Sequence, residues 1–194
     1  MPPANRDISN EEARRCLADI IRRRSVKTGR FRLASGAESN YYVDLRRTTT
    51  HPEGAYLAAL LLIAHIRQWD PDAAGGPTIG VDPLAGAMAA LTHAAGEKEL
   101  RTFMVRGQVK DHGTGRRIEG SLESGDRTVI LDDVVTSGGS LLRVLDPVRE
   151  AGGIVVGATA LLDREQGAAA ALEEAGIPFQ PIFRISELID AKLL

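Results

Sequence analysis

The sequence predicts an α/β protein with a central, mostly parallel sheet flanked by helices and with a small N-terminal flap. Two observations carry this prediction. From residue 78 onward, short apolar runs alternate with segments of helical periodicity, a pattern typical of parallel sheets covered by helices on both faces. Before residue 50, two short strand-like segments flank a turn-rich stretch, which indicates a flap rather than part of the main sheet.

The N-terminal elements begin with an amphipathic helix. Ser9 followed by Glu12 resembles a capping box, and apolar residues then recur at helical spacing up to the basic run at 22–24. The flap strands are predicted at 31–33 and 41–43, and a second helix is predicted after Pro52. The apolar stretch 55–66 is too short for a membrane span, which needs about 20 residues, so we expect a core helix there.

The core elements follow in regular alternation. Strands are predicted at 78–81, 102–105, 128–131 and 154–162, and helices at 84–95, 140–151 and 166–175. Ligands of such sheets bind beyond the carboxyl ends of the strands. The loops after residues 81, 105, 132 and 162 are therefore where chemistry is expected. We predict one domain over 1–194, with the N-terminal helix and flap in 1–50, the core in 78–183 and a mobile lid at 106–120.

Composition excludes several functional classes. The chain has 194 residues, enough for one sizeable core, and its net charge of −2 provides no general field for nucleic acid. The N-terminal residues lack the pattern of a secretory signal, so we expect a cytoplasmic protein that binds neither nucleic acid nor membrane. Cys16, the single cysteine, cannot form an internal disulfide and is expected to be a partly buried helix thiol.

A strand, a turn and a helix together predict a phosphate cradle. The apolar run 128–131 leads through Asp132 and Asp133 into a turn rich in glycine and hydroxyl residues, and then into a helix. A helix N-terminus presents unpaired N–H groups and a dipole that favours anions. The residues of this turn that we expect to hold phosphate are Val134, Val135, Thr136, Ser137, Gly138, Gly139 and Ser140.

Two carboxylates beside a phosphate need a positive or hydroxylic partner. Ribose hydroxyls and hydrated Mg²⁺ both qualify as partners for Asp132 and Asp133. The alternative is that these residues only end a strand and cap a turn. No Walker motif or GxGxxG fingerprint is present to suggest another nucleotide fold.

Residues 129–140 resemble the phosphoribosyl pyrophosphate signature of the type I phosphoribosyltransferases. The resemblance implies that Asp132 and Asp133 hold the ribose hydroxyls and that 136–140 wraps the 5-phosphate. Three further segments resemble the orotate branch of that family: the flap around Tyr41 and Tyr42, the stretch 103–120 and the strand end at 161–164. The resemblance thus covers most of the chain after residue 29. It implies Mg²⁺-dependent transfer of ribose 5-phosphate to orotate.

The residue types in the stretch 106–120 also predict a lid, independently of the family resemblance. Its cationic side chains lie among four glycines with few apolar anchors, so the loop can close over an anion. By resemblance, Arg106, Lys110 and His112 bind the leaving pyrophosphate from the neighbouring subunit of a homodimer. Lys110, His112 and Asp133 are thereby the expected catalytic residues. His112 acts either as a proton donor or only as a hydrogen-bond donor.

Arg164 and Thr136 are the expected orotate contacts, because orotate presents a carboxylate and an amide-like edge. The alternative for Arg164 is an ion pair with Asp163 or Glu165, and for Tyr42 it is simple flap packing. No protein ligand to the metal is expected, since Mg²⁺ would bind through phosphoribosyl pyrophosphate and water near Asp132 and Asp133. Two other functions stay open: a regulator that senses phosphoribosyl pyrophosphate without catalysis, and a transferase for another base.

Overall fold

The computed structural model describes residues 8–32, 38–96, 98–107 and 117–193. Within these residues the α-helices are α1 Asn10–Arg24, α2 Arg46–Thr49, α3 Pro52–Ile66, α4 Asp82–Ala95, α5 Gly139–Glu150 and α6 Ala168–Glu174. The strands are β1 Val26–Arg32, β2 Glu38–Val43, β3 Ala73–Pro77, β4 Arg101–Val105, β5 Ile118–Gly120, β6 Arg127–Val135, β7 Ile154–Asp163 and β8 Phe183–Arg184. Short 3-10 helices lie at Arg67–Trp69, Ile185–Glu187 and Ala191–Leu193.

The main sheet has the order β5-β4-β3-β6-β7-β8, and only β5 runs antiparallel to its neighbour. Successive residues of β6 face opposite layers. Val129 and Leu131 pack in the core formed with α1, α3 and α4, whereas Ile130 packs in the core formed with α5 and α6. The predicted parallel sheet with helices on both faces is confirmed.

The strand predicted at 78–81 is wrong: β3 is Ala73–Pro77, and residues 78–81 form the turn that follows it. Apolar and β-branched residues at 78–81 favoured that segment, because strand propensity rewards side-chain packing. The strand itself is made of small residues because its neighbours approach closely. A Cβ on Gly75 would collide with the Phe103 carbonyl oxygen, and one on Gly76 with that of Leu131.

The other predicted core elements are confirmed with shifted ends. β4 and β7 match the predicted strands closely, while β6 continues to Val135 and so contains both aspartates. The helix predicted at 166–175 is shorter, because Gly167 at its N-cap has φ 104°. The short elements α2, β5 and β8 were not predicted, since each has too few residues to show a periodicity.

The N-terminal region combines helix α1, which packs in the core with α3 and α4, with a small two-stranded sheet. The Ser9 hydroxyl accepts a hydrogen bond from the Glu12 backbone N–H at 3.2 Å and so begins α1. The strands β1 and β2 form a two-stranded antiparallel sheet with Thr28 opposite Tyr41 and Lys27 opposite Tyr42. The two predicted strands are present and are longer than expected, and residues 33–37 between them lie outside the described chain.

Helix α3 packs its length in the core, where Leu57, Ala58 and Leu62 are buried. It is the core helix that the apolar stretch predicted. Among the described helices, none combines the length and apolar character that a membrane crossing requires. Cys16 in α1 is partly buried, as expected.

Candidate active site

The carboxyl ends of β3, β4, β6 and β7 meet at one edge of the sheet, because these strands are parallel neighbours. The turn 78–81, Arg106, the turn after Val135 and Arg164 all follow directly from these ends. The fold therefore brings the four predicted loops to the same edge. The predicted residues among them that the structure describes can be located individually.

The turn between β6 and α5 forms an open helix N-terminus. Gly138 is the N-cap of α5 with φ 81°, a conformation that other residues rarely adopt, and no side chain caps the helix. The first N–H groups of α5 are therefore available to an anion. Thr136, Ser137 and Ser140 belong to the same segment, and the Ser140 side chain forms a hydrogen bond with Asp132. This is the turn for which the sequence predicts a phosphate cradle.

Asp132 and Asp133 lie at the end of β6, side by side and poorly hydrated. Asp132 is 5% exposed, and its Oδ1 accepts the Asp133 N–H at 2.9 Å. Burial, followed by repulsion from Asp133, raises the pKa of Asp132 to about 7, while a hydrogen bond from Ser140 lowers it. Burial also raises the pKa of Asp133. A buried and a partly buried carboxyl that resist ionisation together fit a ligand that supplies hydroxyl donors or positive charge.

The turn 78–81 lies against this pair. The Asp133 carboxylate lies against the backbone of Gly80, so a Cβ on residue 80 would collide with it. Helix α4 begins directly afterwards at Asp82, whose Oδ1 is buried and has no hydrogen-bond partner among the described residues. Burial raises the pKa of Asp82. The neighbouring Ile79 is 66% exposed, and the Thr78–Ile79 peptide is cis.

Arg164 connects the main sheet to the flap. Its backbone N–H donates to the Val135 carbonyl oxygen at 2.9 Å, beside the cradle. Its Nε donates to Tyr41 Oη at 3.4 Å, and its guanidinium carbon lies 5.0 Å from the centre of the Tyr41 ring. The ion pair considered for Arg164 with Asp163 or Glu165 is not formed among these described side chains. Arg164 is thus held between cradle and flap.

Tyr42 faces away from Tyr41, because successive side chains alternate across a strand. Its ring packs on Phe31 with centroids 5.8 Å apart, which agrees with flap packing. Tyr42 also lines a cavity of about 230 Å³ that it shares with Arg46, Gly80 and Asp133. Arg46 is a residue of this site that the sequence analysis missed. Its position three residues after β2, next to the tyrosine pair, was the available signal.

Of the predicted lid, 106–120, the structure describes residues 106–107 and 117–120. Arg106 leaves β4, and its N–H donates to the Arg117 carbonyl oxygen at 2.8 Å. Its guanidinium forms an ion pair with Glu119 at 3.1 Å rather than reaching the cradle. Lys110 and His112 lie outside the described residues, so their predicted roles have no structural counterpart here. The Nε of Arg117 is buried without a partner in the described part of the chain.

No group of three or more His, Cys, Asp or Glu side chains suited to a metal ion occurs among the described residues. Asp132 and Asp133 are a pair, and both are raised in pKa by burial. Such a pair is better suited to a hydrated cation that arrives bound to the substrate than to a cation that the protein binds directly.

Comparison with known proteins identifies relatives for most of the chain. Residues 61–176 match the family model of the phosphoribosyl transferase domain. The orotate phosphoribosyltransferase of Aquifex aeolicus (strain VF5) is 42% identical to this chain over 176 residues, which cover 89% of this chain and 96% of the relative.

Two crystal structures of Mycobacterium tuberculosis H37Rv orotate phosphoribosyltransferase are also similar. The complex with Fe(III) dicitrate is 40% identical with a TM-score of 0.79, and the alignment covers 91% of this chain and 98% of that one. The complex with 5-phospho-alpha-D-ribosyl 1-diphosphate is 36% identical with a TM-score of 0.76 and has the same coverage.

Proposed function

Because this chain belongs to the orotate phosphoribosyltransferase family, we propose that it transfers ribose 5-phosphate from phosphoribosyl pyrophosphate to orotate. The products are orotidine 5'-monophosphate and pyrophosphate, which places the reaction in pyrimidine synthesis. The observation that carries the proposal is the position of Arg164, held between the phosphate cradle and the flap tyrosine Tyr41. A planar anion with one carboxylate fits that location.

In the proposed mechanism, the α5 N-terminus and the hydroxyls of 136–140 bind the 5-phosphate. Asp132 and Asp133 accept hydrogen bonds from the ribose hydroxyls and fix the sugar. Val134 and Val135 precede the turn and anchor it to the sheet, where Val135 is buried. Arg164 and Thr136 orient orotate so that its ring nitrogen faces C1 of the ribose. As the bond from C1 to the pyrophosphate oxygen lengthens, the nitrogen attacks from the opposite face; pyrophosphate leaves with the bonding electron pair, and the proton of the nitrogen passes to pyrophosphate or to water.

Negative charge develops on the pyrophosphate during this step, so cations act most strongly there. We assign that role to Arg106, Lys110 and His112 of the lid, supplied by the neighbouring subunit of a homodimer. Mg²⁺ carried by the substrate through its oxygens and water would neutralise part of the same charge. Removal of Lys110 or His112 is therefore expected to lower turnover more than base affinity. We also propose a cytoplasmic location for the enzyme.

The test is incubation of the purified chain with phosphoribosyl pyrophosphate, Mg²⁺ and each of orotate, uracil, adenine, guanine and hypoxanthine. Product nucleotide and pyrophosphate are measured together. We expect stoichiometric release of both with orotate alone. Turnover with another base would instead favour a phosphoribosyltransferase for that base. Binding of phosphoribosyl pyrophosphate without turnover would favour a regulator that senses this ligand.

A further inference from the structure

The cavity of about 230 Å³ between the flap and the turn 78–81 is lined by a basic side chain that has no role in the proposed mechanism. Asp44 and Asp133 are the acidic residues of its wall, and Gly80 belongs to the same wall. Arg46 is the single basic residue of this wall within the described chain. A substrate that brings phosphate groups into this cavity meets two carboxylates, so Arg46 is the available source of compensating charge.

Asp44 holds the Arg46 guanidinium in one orientation. Arg46 Nε donates to Asp44 Oδ1 at 2.7 Å and Nη2 donates to Oδ2 at 3.1 Å, which is a bidentate pair. The Arg46 backbone N–H also donates to Asp44 Oδ1 at 3.2 Å. The remaining group, Nη1, has no hydrogen-bond partner among the described residues. The pair therefore presents a fixed donor that is still unused.

The location of Arg46 separates it from the orotate contacts. Tyr41 and Tyr42 point to opposite faces of β2, with Tyr41 against Arg164 and Tyr42 in the wall of the Arg46 cavity. The carboxylate of orotate is already accounted for by Arg164 on the first face. The second face borders Gly80, two residues before α4 begins, and the start of a helix favours phosphate.

Residue 80 on the opposite wall is glycine and offers no side chain for this task. The Asp133 carboxylate packs on Gly80, so a longer residue there would collide with it. Arg46 also lowers the pKa of Asp133, against the larger effect of burial, which raises it. The guanidinium thus acts on the cavity in which Asp133 lies.

We propose that Arg46 is a substrate-binding residue that contacts the pyrophosphate moiety of phosphoribosyl pyrophosphate through Nη1 while Asp44 keeps its guanidinium in place. The proposal rests on the proposed function, of which it specifies the pyrophosphate subsite. It predicts that Arg46 serves phosphoribosyl pyrophosphate and pyrophosphate but not orotate.

The experiment compares Arg46→Ala, Arg46→Lys and Arg47→Ala in the full-length protein. Arg47 is a matched control, because it is the adjacent exposed arginine and does not line the cavity. Calorimetry measures the Kd of pyrophosphate with Mg²⁺ and, separately, the Kd of orotate. Losing one charge-assisted contact at a half-exposed site is expected to weaken pyrophosphate about tenfold in Arg46→Ala. Arg46→Lys should show a smaller loss, and Arg47→Ala should stay within about twofold of wild type.

Unchanged pyrophosphate affinity in Arg46→Ala overturns the proposal, as does an equal loss in Arg47→Ala or an equal loss of orotate affinity. Circular dichroism checks that the variants fold, and Asp44→Asn, which frees the guanidinium without removing it, provides a second route to a weaker pyrophosphate complex. Wild-type turnover is measured in parallel. A wild type that binds pyrophosphate but forms no nucleotide would refute the proposed function and leave the Arg46 result interpretable.

Discussion

The carboxylate of Asp133 rests on Gly80, a residue of the turn that links β3 to α4. A Cβ at this position would collide with the carboxylate, so Asp133 keeps its position only while residue 80 has no side chain. The pyrophosphate side and the ribose side of the proposed site are thereby in direct contact.

Gly80→Ala is expected to displace Asp133 and to lower kcat/KM for phosphoribosyl pyrophosphate on the order of ten- to a hundredfold, because small misplacements of binding groups are costly. The thermal midpoint should change little, since the turn lies at the surface. Gly86→Ala in α4 is the control, because a Cβ there meets open space. Equal kinetics in Gly80→Ala and wild type would show that the packing has no role in substrate use.

The raised pKa of Asp132 predicts a pH-dependent stability of the empty protein. Between the ordinary value of 3.8 and about 7, the folded chain retains a proton that the unfolded chain releases. Stability from this group is therefore lost as pH rises through that range and is constant above it. The buried Asp132–Asp133 pair titrates together, so the range belongs to the pair.

Asp132→Asn should accordingly gain thermal stability over wild type at pH 8 and lose most of that advantage at pH 4.5, measured without Mg²⁺ or substrate. A difference of about 1 kcal/mol would shift the midpoint by roughly 2–4 °C in a chain of this size. Asp146→Asn, at an exposed position of α5, is the comparison. An advantage independent of pH would contradict the assignment.

Arg164→Ala is expected to weaken orotate roughly ten- to a hundredfold and phosphoribosyl pyrophosphate much less, because it removes a charge-assisted contact to a carboxylate. Tyr41→Phe removes only the hydroxyl that accepts from Arg164 Nε at 3.4 Å and keeps the ring beneath the guanidinium. It should therefore cost less than Arg164→Ala. Separate Kd values for the two substrates make the measurement, and equal weakening of both would count against Arg164 as the base contact.

A lid supplied in trans predicts complementation. Lys110→Ala and Asp133→Asn chains are each expected to be nearly inactive, yet a mixed dimer has one site with both lesions and one site with neither. Random reassociation makes about half of the dimers mixed, so roughly a quarter of wild-type activity should return. Mass spectrometry must first detect mixed dimers. If they form and activity stays at the level of the separate variants, the lid serves its own chain.

The parts of the fold that are local in sequence were predictable. The cradle is a contiguous strand, turn and helix, and the family resemblance drawn from it is confirmed by the relatives. The strand at 73–77 was not predictable, because its small residues are dictated by neighbours brought in from β4 and β6. Propensity cannot report such a constraint.

The predicted site shows the same division. Asp132, Asp133 and 136–140 were predicted from consecutive residues, whereas the contact of Arg164 with Tyr41 joins residues 123 positions apart. Arg46 was not predicted as a site residue, because an aspartate two residues before an arginine is typical of an ordinary surface ion pair. Its significance depends on Gly80 and Asp133, which only the folded chain brings to the same cavity.

The alternation of Tyr41 and Tyr42 along β2 has a consequence for how the two substrates affect each other's affinity. Arg164, the proposed orotate contact, meets Tyr41 on the first face of this strand, and the Arg46 cavity borders Tyr42 on its second face. A ligand bound on either face would therefore restrain the same backbone. Binding free energies coupled in this way are reciprocal. If phosphoribosyl pyrophosphate raises the affinity for orotate by some factor, orotate must raise the affinity for phosphoribosyl pyrophosphate by the same factor. The flap strand would be the element that couples the two affinities.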